Sequence, residues 1–265
     1  STAMTQLAIS LAPMEGITDR SFRHLIVECN APGSVVMTTT EFVRVSQTPT
    51  PLAELVEVLG DKPANTKTGI QLMGNDVDIL VESARRAAEA GADFIDYNFG
   101  CPAPRVFKHG AGSALLARPN LIADIIVASK AAVDVPVSAK RRSGIEHDSN
   151  IEDMCKQIEG AGADLIIIHG RLKTDRYTDP ADWSRITRAV NSVNIPVHGN
   201  GDHLSRLIGW NWKLEDHFGK IKYKIKTEDD VEKYISIEKI VVKKKYLTNA
   251  WLTNIEKFLD APFKI

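Results

Sequence analysis

The sequence predicts an α/β fold of the TIM-barrel type, (β/α)₈. Short apolar runs alternate with longer amphipathic stretches from residue 7 to about residue 202. Two of these stretches end in the same Ala-Gly-Ala-Asp sequence, at residues 90–93 and 161–164, directly before an apolar run. A glycine at that point can end a helix in the left-handed conformation. Apolar strands that alternate with helices are typical of a parallel sheet covered on both faces.

Seven apolar runs are candidate strands, and the clearest candidate helices lie between them. The strands are expected at residues 7–12, 35–40, 68–72, 94–98, 135–140, 165–169 and 197–200. The helices are expected at residues 76–90, 119–132 and 151–161. This rhythm is that of a (β/α)₈ barrel that lacks its usual eighth strand. A doubly wound open sheet is the alternative, but no Gly-x-Gly-x-x-Gly sequence follows the first strand.

The composition indicates an ordinary globular protein and limits its partners. Of the 265 residues, 43% are hydrophobic and 25% are charged, and the net charge is −1. A nucleic acid would therefore have to bind to a local basic patch. The three cysteines are far apart, which argues against disulfides and a metal site and predicts a cytoplasmic location. No apolar run is long enough to cross a membrane, and we expect a monomer without metal.

The composition changes near residue 203 and divides the chain into two predicted segments. Residues 4–203 are expected to form the catalytic barrel, and residues 204–265 a separate α+β segment of unknown role. Residues 201–265 hold 12 of the 19 lysines but only one arginine, Arg206. Alternating lysines at 220–226 indicate a strand, residues 236–246 suggest a second strand, and residues 248–259 a helix.

Polar residues stand at the carboxyl ends of the predicted strands, which surround one mouth in a barrel. Cys101 follows such a strand in the sequence Asn98-Phe99-Gly100-Cys101-Pro102. A free cysteine is more often a buried, inert side chain, but the flanking glycine and proline predict a rigid loop that presents the thiol. Lys140 ends the next strand, where a charge is costly unless it meets an anion or an electron-rich ring.

Other residues at the same mouth have both a functional and a structural interpretation. His169 is either a ligand contact or a structural histidine, and Gln71 either binds a planar heterocycle or is a polar rim residue. The turn Asn200-Gly201-Asp202 exposes backbone N–H groups, which commonly hold a phosphate in barrels. Residues 108–114 are too glycine-rich for a helix, so they are expected to form either a mobile lid or an ordinary surface loop.

At these residues the chain resembles the tRNA-dihydrouridine synthases. Residues 11–23, which include Pro13-Met14-Glu15-Gly16, are similar to the opening motif of that family. Thr40-Glu41-Phe42-Val43 is similar to its second strand end, and residues 98–102 to its catalytic loop. The motifs Lys140-Arg141, His169-Gly170-Arg171 and Asn200-Gly201-Asp202 follow in the order of the family.

The resemblance implies an FMN-dependent barrel that reduces the C5–C6 bond of uracil in tRNA, with NADPH as the reductant. In such an enzyme the reduced flavin gives a hydride to C6, and Cys101 protonates C5. The resemblance assigns eight residues to the cofactor: Pro13, Met14, Gln71, Lys140, His169, Asn200, Gly201 and Asp202. It assigns Glu41, Asn98 and Arg171 to the substrate, with Asn98 orienting the uracil and Arg171 facing the RNA.

The resemblance ends at about residue 202. Family members continue with an eighth strand that ends in a Gly-Arg motif and with a helical domain that binds tRNA, and neither pattern follows here. A recombined or frameshifted gene, a replacement module and an engineered fusion would each account for the change, and residues 220–226 are a candidate for the missing strand. Two alternative functions therefore stay open: another FMN-dependent reductase, acting on a free pyrimidine or an enone, and a truncated relative without flavin that only binds RNA or is inert.

Overall fold

The computed structural model describes residues 9–28, 30 and 32–201. Within this part of the chain the strands are β1 (Ile9–Leu11), β2 (Val35–Thr39), β3 (Val43–Arg44), β4 (Lys67–Met73), β5 (Ile95–Phe99), β6 (Val137–Arg142), β7 (Leu165–His169) and β8 (Val197–Asn200). The α-helices are α1 (Arg20–Glu28), α2 (Leu52–Leu59), α3 (Val77–Glu89), α4 (Pro104–Lys108), α5 (Pro119–Ala132), α6 (Ile151–Gly160) and α7 (Trp183–Ser192). A 3₁₀ helix spans Gly112–Ala117.

The strands form one parallel sheet that follows the order of the chain. The order is β1-β2-β4-β5-β6-β7-β8, and the short strand β3 pairs with β4 beside this path. At the two ends of the sheet, the hydroxyl of Ser10 in β1 lies 3.1 Å from Nδ1 of His198 in β8. This contact joins the first and last described strands, so the sheet curls into a nearly closed barrel, as predicted.

The repeated Ala-Gly-Ala-Asp sequence has a structural purpose at both of its positions. Gly91 and Gly162 adopt φ values of 101° and 99°, and each follows the end of a helix. The aspartates then accept hydrogen bonds from backbone N–H groups at the start of the preceding strand. Asp93 accepts from Thr68 at 2.9 Å, and Asp164 accepts from Val137 at 2.8 Å. Each aspartate therefore ties a helix–strand junction to the neighbouring strand.

The core lies between the sheet and the helices. All residues of β4 except the first are buried, and its two buried polar residues, Thr68 and Gln71, hydrogen-bond to the neighbouring strands. Ile70, Ile95 and Ile166 are fully buried and pack with the apolar sides of α3, α5 and α6 in one cluster. Helix α3 begins where Asp76 accepts a hydrogen bond from the Ile79 N–H at 3.0 Å, and this supports the predicted helix start.

The seven predicted strands and the three predicted helices are present, with ends that differ by a few residues from expectation. The predicted α+β segment, the question of an eighth barrel strand and the boundary at residue 203 lie outside the described residues. In the part of the chain that the structure describes, no helix combines the length and apolar character needed to cross a bilayer.

Candidate active site at the barrel mouth

The structure brings five of the predicted site residues together at the carboxyl ends of neighbouring strands. Gln71, Asn98, Lys140, His169 and Asn200 lie on β4, β5, β6, β7 and β8 respectively. Asn98 is paired with Lys140, and His169 with Asn200, in the register of the sheet. The Lys140 ammonium lies 3.3 Å from Oδ1 of Asn200, and Nδ2 of Asn98 lies 3.0 Å from Oε1 of Gln71. Residues far apart in sequence therefore share one site.

The loop that carries Cys101 is held by the side chain of Asn98. Oδ1 of Asn98 accepts hydrogen bonds from the backbone N–H groups of Gly100, at 3.0 Å, and of Cys101, at 2.8 Å. Gly100 packs directly on the adjacent strand, because a Cβ there would lie 3.2 Å from the Arg142 nitrogen. The first residues after β5 thus form a rigid turn, as the flanking glycine and proline predict.

A second support comes from the segment that was expected to be a lid or a surface loop. The Cys101 carbonyl accepts hydrogen bonds from the backbone N–H of Ser113, at 3.0 Å, and from its hydroxyl, at 2.9 Å. Ser113 is fully buried. Gly112 has a φ of +60°, and a Cβ there would lie 2.8 Å from the Cys101 oxygen. The expectation is wrong for residues 111–114, because the glycines allow this segment to pack under the thiol loop and begin a 3₁₀ helix, whereas Lys108 and His109 are exposed.

The Cys101 side chain is half-buried, and its surroundings favour the neutral thiol. Burial raises the pKa of Cys101, and the Glu15 carboxylate raises it further. The Ala103 N–H and the cations of Arg142 and Lys140 act in the opposite direction, but the net shift is upward. A cysteine with a raised pKa stays protonated near neutral pH, so this thiol can donate a proton.

Asp96, which the sequence patterns do not single out, lies beneath these residues in β5. Its carboxylate is fully buried and accepts hydrogen bonds from the Ser138 hydroxyl and from Nε2 of Gln71, both at 2.6 Å. Burial raises the pKa of Asp96 to about 6, against the lowering by these hydrogen bonds and by Lys140. A signal existed in the sequence, since a charged residue in the middle of an apolar strand needs polar partners.

Gln71 is not a rim residue. Its side chain is 1% exposed, and both ends of its amide bond to protein groups, Asp96 at one end and Asn98 at the other. Gln71 therefore connects the buried carboxylate to the residue that holds the Cys101 loop.

His169 is buried and electrically neutral. Burial lowers the pKa of His169 well below its usual value, and the nearby cations of Arg142, Lys140 and Arg171 lower it further. Nη1 of Arg171 lies 3.2 Å from Nε2 of the ring. Because a guanidinium only donates hydrogen bonds, Nε2 is the acceptor and the ring proton lies on Nδ1.

Gly201 covers the His169 ring at the end of β8. It adopts a φ of +93°, and a Cβ at this position would lie 2.7 Å from Nε2 of His169. The backbone of the predicted phosphate turn therefore approaches the mouth as closely as a glycine allows. The third residue of that turn, Asp202, lies outside the described residues.

Arg171 does not match the expectation of a side chain that faces RNA. It is 1% exposed, and its guanidinium donates to the carbonyl oxygens of Asp179, at 2.8 Å, and of Tyr177, at 3.2 Å. The loop after β7 folds back over the guanidinium, which explains the burial.

Tyr177 is an exposed aromatic residue of this loop, and the sequence patterns contain no signal for it. The residue is 48% exposed, and two guanidinium carbons lie near its ring centroid, that of Arg142 at 5.5 Å and that of Arg171 at 5.9 Å. Arg142 also donates to the Tyr177 hydroxyl at 3.2 Å and to the Gly100 carbonyl at 3.1 Å. An exposed aromatic ring on two cations thus lies next to the Cys101 loop.

Three further predicted residues lie after β1 and β2. Pro13 and Met14 are half-buried, and the Met14 backbone is fixed by its hydrogen bonds to Thr18, which include a bond from its N–H to the Thr18 hydroxyl at 3.0 Å. Glu41 is half-buried, and its carbonyl oxygen accepts from the Thr40 hydroxyl at 2.9 Å. Among the residues described, no group of three or more potential ligand side chains is arranged to hold a metal ion.

Comparisons with known proteins agree on a family. The family model described as dihydrouridine synthase matches residues 10–207. The chain is 40% identical over 193 residues to a tRNA-dihydrouridine synthase B of Pseudomonas aeruginosa, a match that covers 72% of this chain and 57% of that protein. It is 38% identical over 208 residues to a tRNA-dihydrouridine(16) synthase of Shewanella oneidensis, which covers 76% and 65% respectively. The chain thus spans less than two thirds of the length of these relatives.

A comparison of structures supports the architecture alone. A histamine dehydrogenase from Rhizobium sp. 4-9 superimposes with a TM-score of 0.53 at 14% identity, over 77% of this chain and 42% of that one. At this identity the likeness concerns the fold, and it agrees with the nearly closed parallel barrel described above.

Proposed function

Because the chain belongs to the dihydrouridine synthase family, we propose that it reduces uridines in tRNA to 5,6-dihydrouridine, with FMN as cofactor and NADPH as reductant. The proposal places the catalytic domain in residues 4–203 and the reaction in the cytoplasm. One observation carries it: a half-buried thiol with a raised pKa, on a loop held by Asn98 and Ser113, at the mouth of the barrel.

Cys101 is the proposed proton donor to C5 of the uracil. A general acid has to be protonated at the working pH and fixed in direction. Burial keeps the thiol neutral, and hydrogen bonds on both sides of the Cys101 backbone fix the loop. The main role of Asn98 in this proposal is to hold the Cys101 loop, because its side-chain oxygen accepts two backbone hydrogen bonds from that loop.

The residues at the mouth fit a flavin with a phosphate group. When bound, FMN supplies the hydride that C6 receives. We assign its binding to the eight residues predicted above: Pro13, Met14, Gln71, Lys140, His169, Asn200, Gly201 and Asp202. Gly201 supports the assignment, because a side chain there would meet the His169 ring. Lys140 supports it as well, since a half-buried cation stabilises the anionic reduced form of a flavin.

The RNA side of the proposal rests on Tyr177. Proteins recognise unpaired RNA bases by stacking them on aromatic rings and arginine planes. Tyr177 offers such a ring at the mouth, and Arg142 and Arg171 support it from below. We therefore assign Arg171 to the substrate through Tyr177, and keep Glu41 as a proposed substrate residue on the opposite side of the mouth.

Two measurements test the proposal. Purified protein should show flavin absorption at about 450 nm. A colourless protein that cannot be reconstituted with added FMN would contradict the assignment. The protein should also form dihydrouridine in unmodified tRNA with NADPH. Cys101→Ala should abolish this activity, whereas Cys155→Ala, which changes a buried cysteine 3.9 Å from Arg141, should retain it.

The same assay separates the proposal from the two alternative functions. Reduction of free uracil but not tRNA would indicate a reductase of free pyrimidines. Binding of tRNA by a protein that takes up no flavin would indicate a relative that has lost the chemistry. Full activity of Cys101→Ala on tRNA would refute the role of the thiol.

A further inference from the structure

A chain of side-chain hydrogen bonds runs from a buried carboxylate to the backbone of Cys101. Asp96 accepts from Nε2 of Gln71 at 2.6 Å, and Oε1 of Gln71 accepts from Nδ2 of Asn98 at 3.0 Å. Oδ1 of Asn98 then accepts from the N–H groups of Gly100 and Cys101. Asp96 is fully buried and Gln71 is 1% exposed, so water does not replace these partners.

The two ends of this chain determine its direction. At the loop end, a backbone N–H can only donate, so Asn98 has to present its oxygen there and its nitrogen to Gln71. Gln71 must then accept the hydrogen bond of the Asn98 nitrogen with its oxygen, and its own nitrogen donates to the residue at position 96. Only an acceptor at position 96 completes this arrangement, and an ionised carboxylate is an acceptor at both oxygens.

We propose that Asp96 is a positioning residue that sets the direction of the Gln71 and Asn98 amides and thereby holds Cys101 in place for proton donation. The last clause rests on the proposed function. The orientation of the loop does not, because it follows from hydrogen bonds within the protein.

The isosteric variant Asp96→Asn tests the direction of the chain. An asparagine keeps the size of the side chain but has a single acceptor oxygen, whereas both Ser138 and Gln71 donate to Asp96. When that oxygen stays on Ser138, the asparagine nitrogen faces the Gln71 nitrogen. Gln71 then turns its oxygen to position 96 and its nitrogen to Asn98, and Asn98 loses its hold on the loop. We expect Cys101 to become more accessible to iodoacetamide, with a limiting alkylation rate about tenfold higher.

The rate is measured as a pH profile of Cys101 alkylation in the full-length protein, followed by mass spectrometry of the Cys101 peptide. The limiting rate at high pH belongs to the fully ionised thiolate, so it reports access to the sulfur. The change of thiol pKa that follows from removing a nearby charge appears separately, in the midpoint of the profile.

A double variant should reverse the effect. In Asp96→Asn with Gln71→Glu, the carboxylate moves to position 71, where it accepts from the asparagine nitrogen on one side and from Asn98 on the other. Asn98 again presents its oxygen to the loop, and the limiting alkylation rate should return to within about twofold of wild type. Ser138→Ala is the matched control, because it removes a hydrogen bond of Asp96 without changing the direction of the amides.

The outcomes are distinct. Asp96→Leu has no acceptor in either orientation, so a wild-type limiting rate in both Asp96→Asn and Asp96→Leu would overturn the proposal. Where Asp96→Asn reacts faster than wild type, a double variant no closer to wild type than the single one would also overturn it. If Asp96→Asn does not fold, the double variant carries the test: a folded protein with the wild-type rate supports the proposal, and any other result overturns it. A protein that fails to reduce tRNA would contradict the proposed function but leave this comparison of Cys101 alkylation unaffected.

Discussion

The side-chain oxygen of Asn98 lies 2.8 Å from the backbone nitrogen of Cys101 and accepts its hydrogen bond. The contact fixes the loop after β5 to a residue of the strand itself, so the sheet restricts the movement of the thiol. Strand β5 is paired with β6 up to its last residue, Phe99, and with β4 up to Tyr97. A group that has to deliver a proton in one direction benefits from such a support.

Asn98→Ala should release the loop. It leaves two backbone N–H groups without their acceptor, which costs about 1–3 kcal/mol in the free energy of unfolding. We expect kcat on tRNA to fall by about tenfold or more, measured by dihydrouridine formation. Asn75→Ala is the control, since its exposed amide bonds to the His109 carbonyl outside the thiol loop, and it should keep the activity. Equal activity of the two variants would contradict a role of Asn98 in positioning.

Gly112→Ala should destabilise the loop from the other side. Its φ of +60° disfavours any side chain, and the new Cβ would lie 2.8 Å from the Cys101 oxygen. Gly33→Ala is the matched control, because its φ is +81° but nothing lies within 4 Å of its Cβ. In urea unfolding we expect a loss of about 1 kcal/mol for Gly33→Ala from backbone strain, and a loss about twofold to threefold larger for Gly112→Ala. Similar losses in the free energy of unfolding for the two variants would mean that the contact between position 112 and Cys101 does not affect stability.

Gly201→Ala should weaken flavin binding. The new Cβ would lie 2.7 Å from the His169 ring, so either the phosphate turn or the ring has to move. We expect the Kd for FMN, measured by the quenching of flavin fluorescence, to rise about tenfold or more. Gly162→Ala has a similar φ of +99° but meets only the Lys130 side chain, at 3.5 Å, and should bind FMN as the wild type does. An unchanged Kd for Gly201→Ala would place the cofactor elsewhere.

Hydrophobic periodicity was sufficient to predict the barrel, because each apolar run is a strand of the sheet and each predicted amphipathic stretch is a helix packed beside it. It also located the mouth, since parallel strands end at the same side. The orientation of the polar side chains was harder to predict from the sequence. Gln71 and Arg171 occupy the predicted site but are turned inward. Arg171 bonds to the loop that follows it directly, whereas the Asp96 partner of Gln71 lies on the next strand of the barrel. Asp96 and Gln71 become neighbours only once β4 and β5 have paired.

The buried carboxylate of Asp96 should make stability depend on pH. Its pKa is raised to about 6 in the folded protein, against 3.8 for the ordinary carboxyl. Between these values the folded protein keeps the proton that the unfolded chain has lost. The contribution of Asp96 to the free energy of unfolding is therefore largest below the unfolded pKa and is lost as the pH rises through the folded pKa, by an amount on the order of 2–3 kcal/mol. The buried neutral His169, whose pKa is lowered, contributes in the opposite direction, so the Asp96 contribution has to be read as a difference between two variants. Urea unfolding between pH 4 and about pH 7 measures this difference.

The stability of Asp78→Asn, which lacks an exposed carboxylate on α3, should fall by this amount relative to that of Asp96→Asn as the pH rises from 4 to about 7. The comparison concerns the change with pH within each protein. The loss of hydrogen bonds in Asp96→Asn shifts its whole curve and does not affect the test. The same change with pH in both variants would show that another group is responsible.

Tyr177→Ala should weaken tRNA binding while leaving the chemistry intact. Stacking of one base on an aromatic ring contributes about 1–3 kcal/mol, so we expect KM for tRNA to rise about tenfold and kcat to change little. Tyr177→Phe removes the hydroxyl that accepts from Arg142 but keeps the ring, and should retain most of the affinity. Val127→Ala, an exposed apolar residue on α5 with a 54% exposed side chain, controls for the loss of surface area and should have no effect. If kcat fell and KM did not change, Tyr177 would instead support the loop through Arg142, which contacts both the ring and the Gly100 carbonyl.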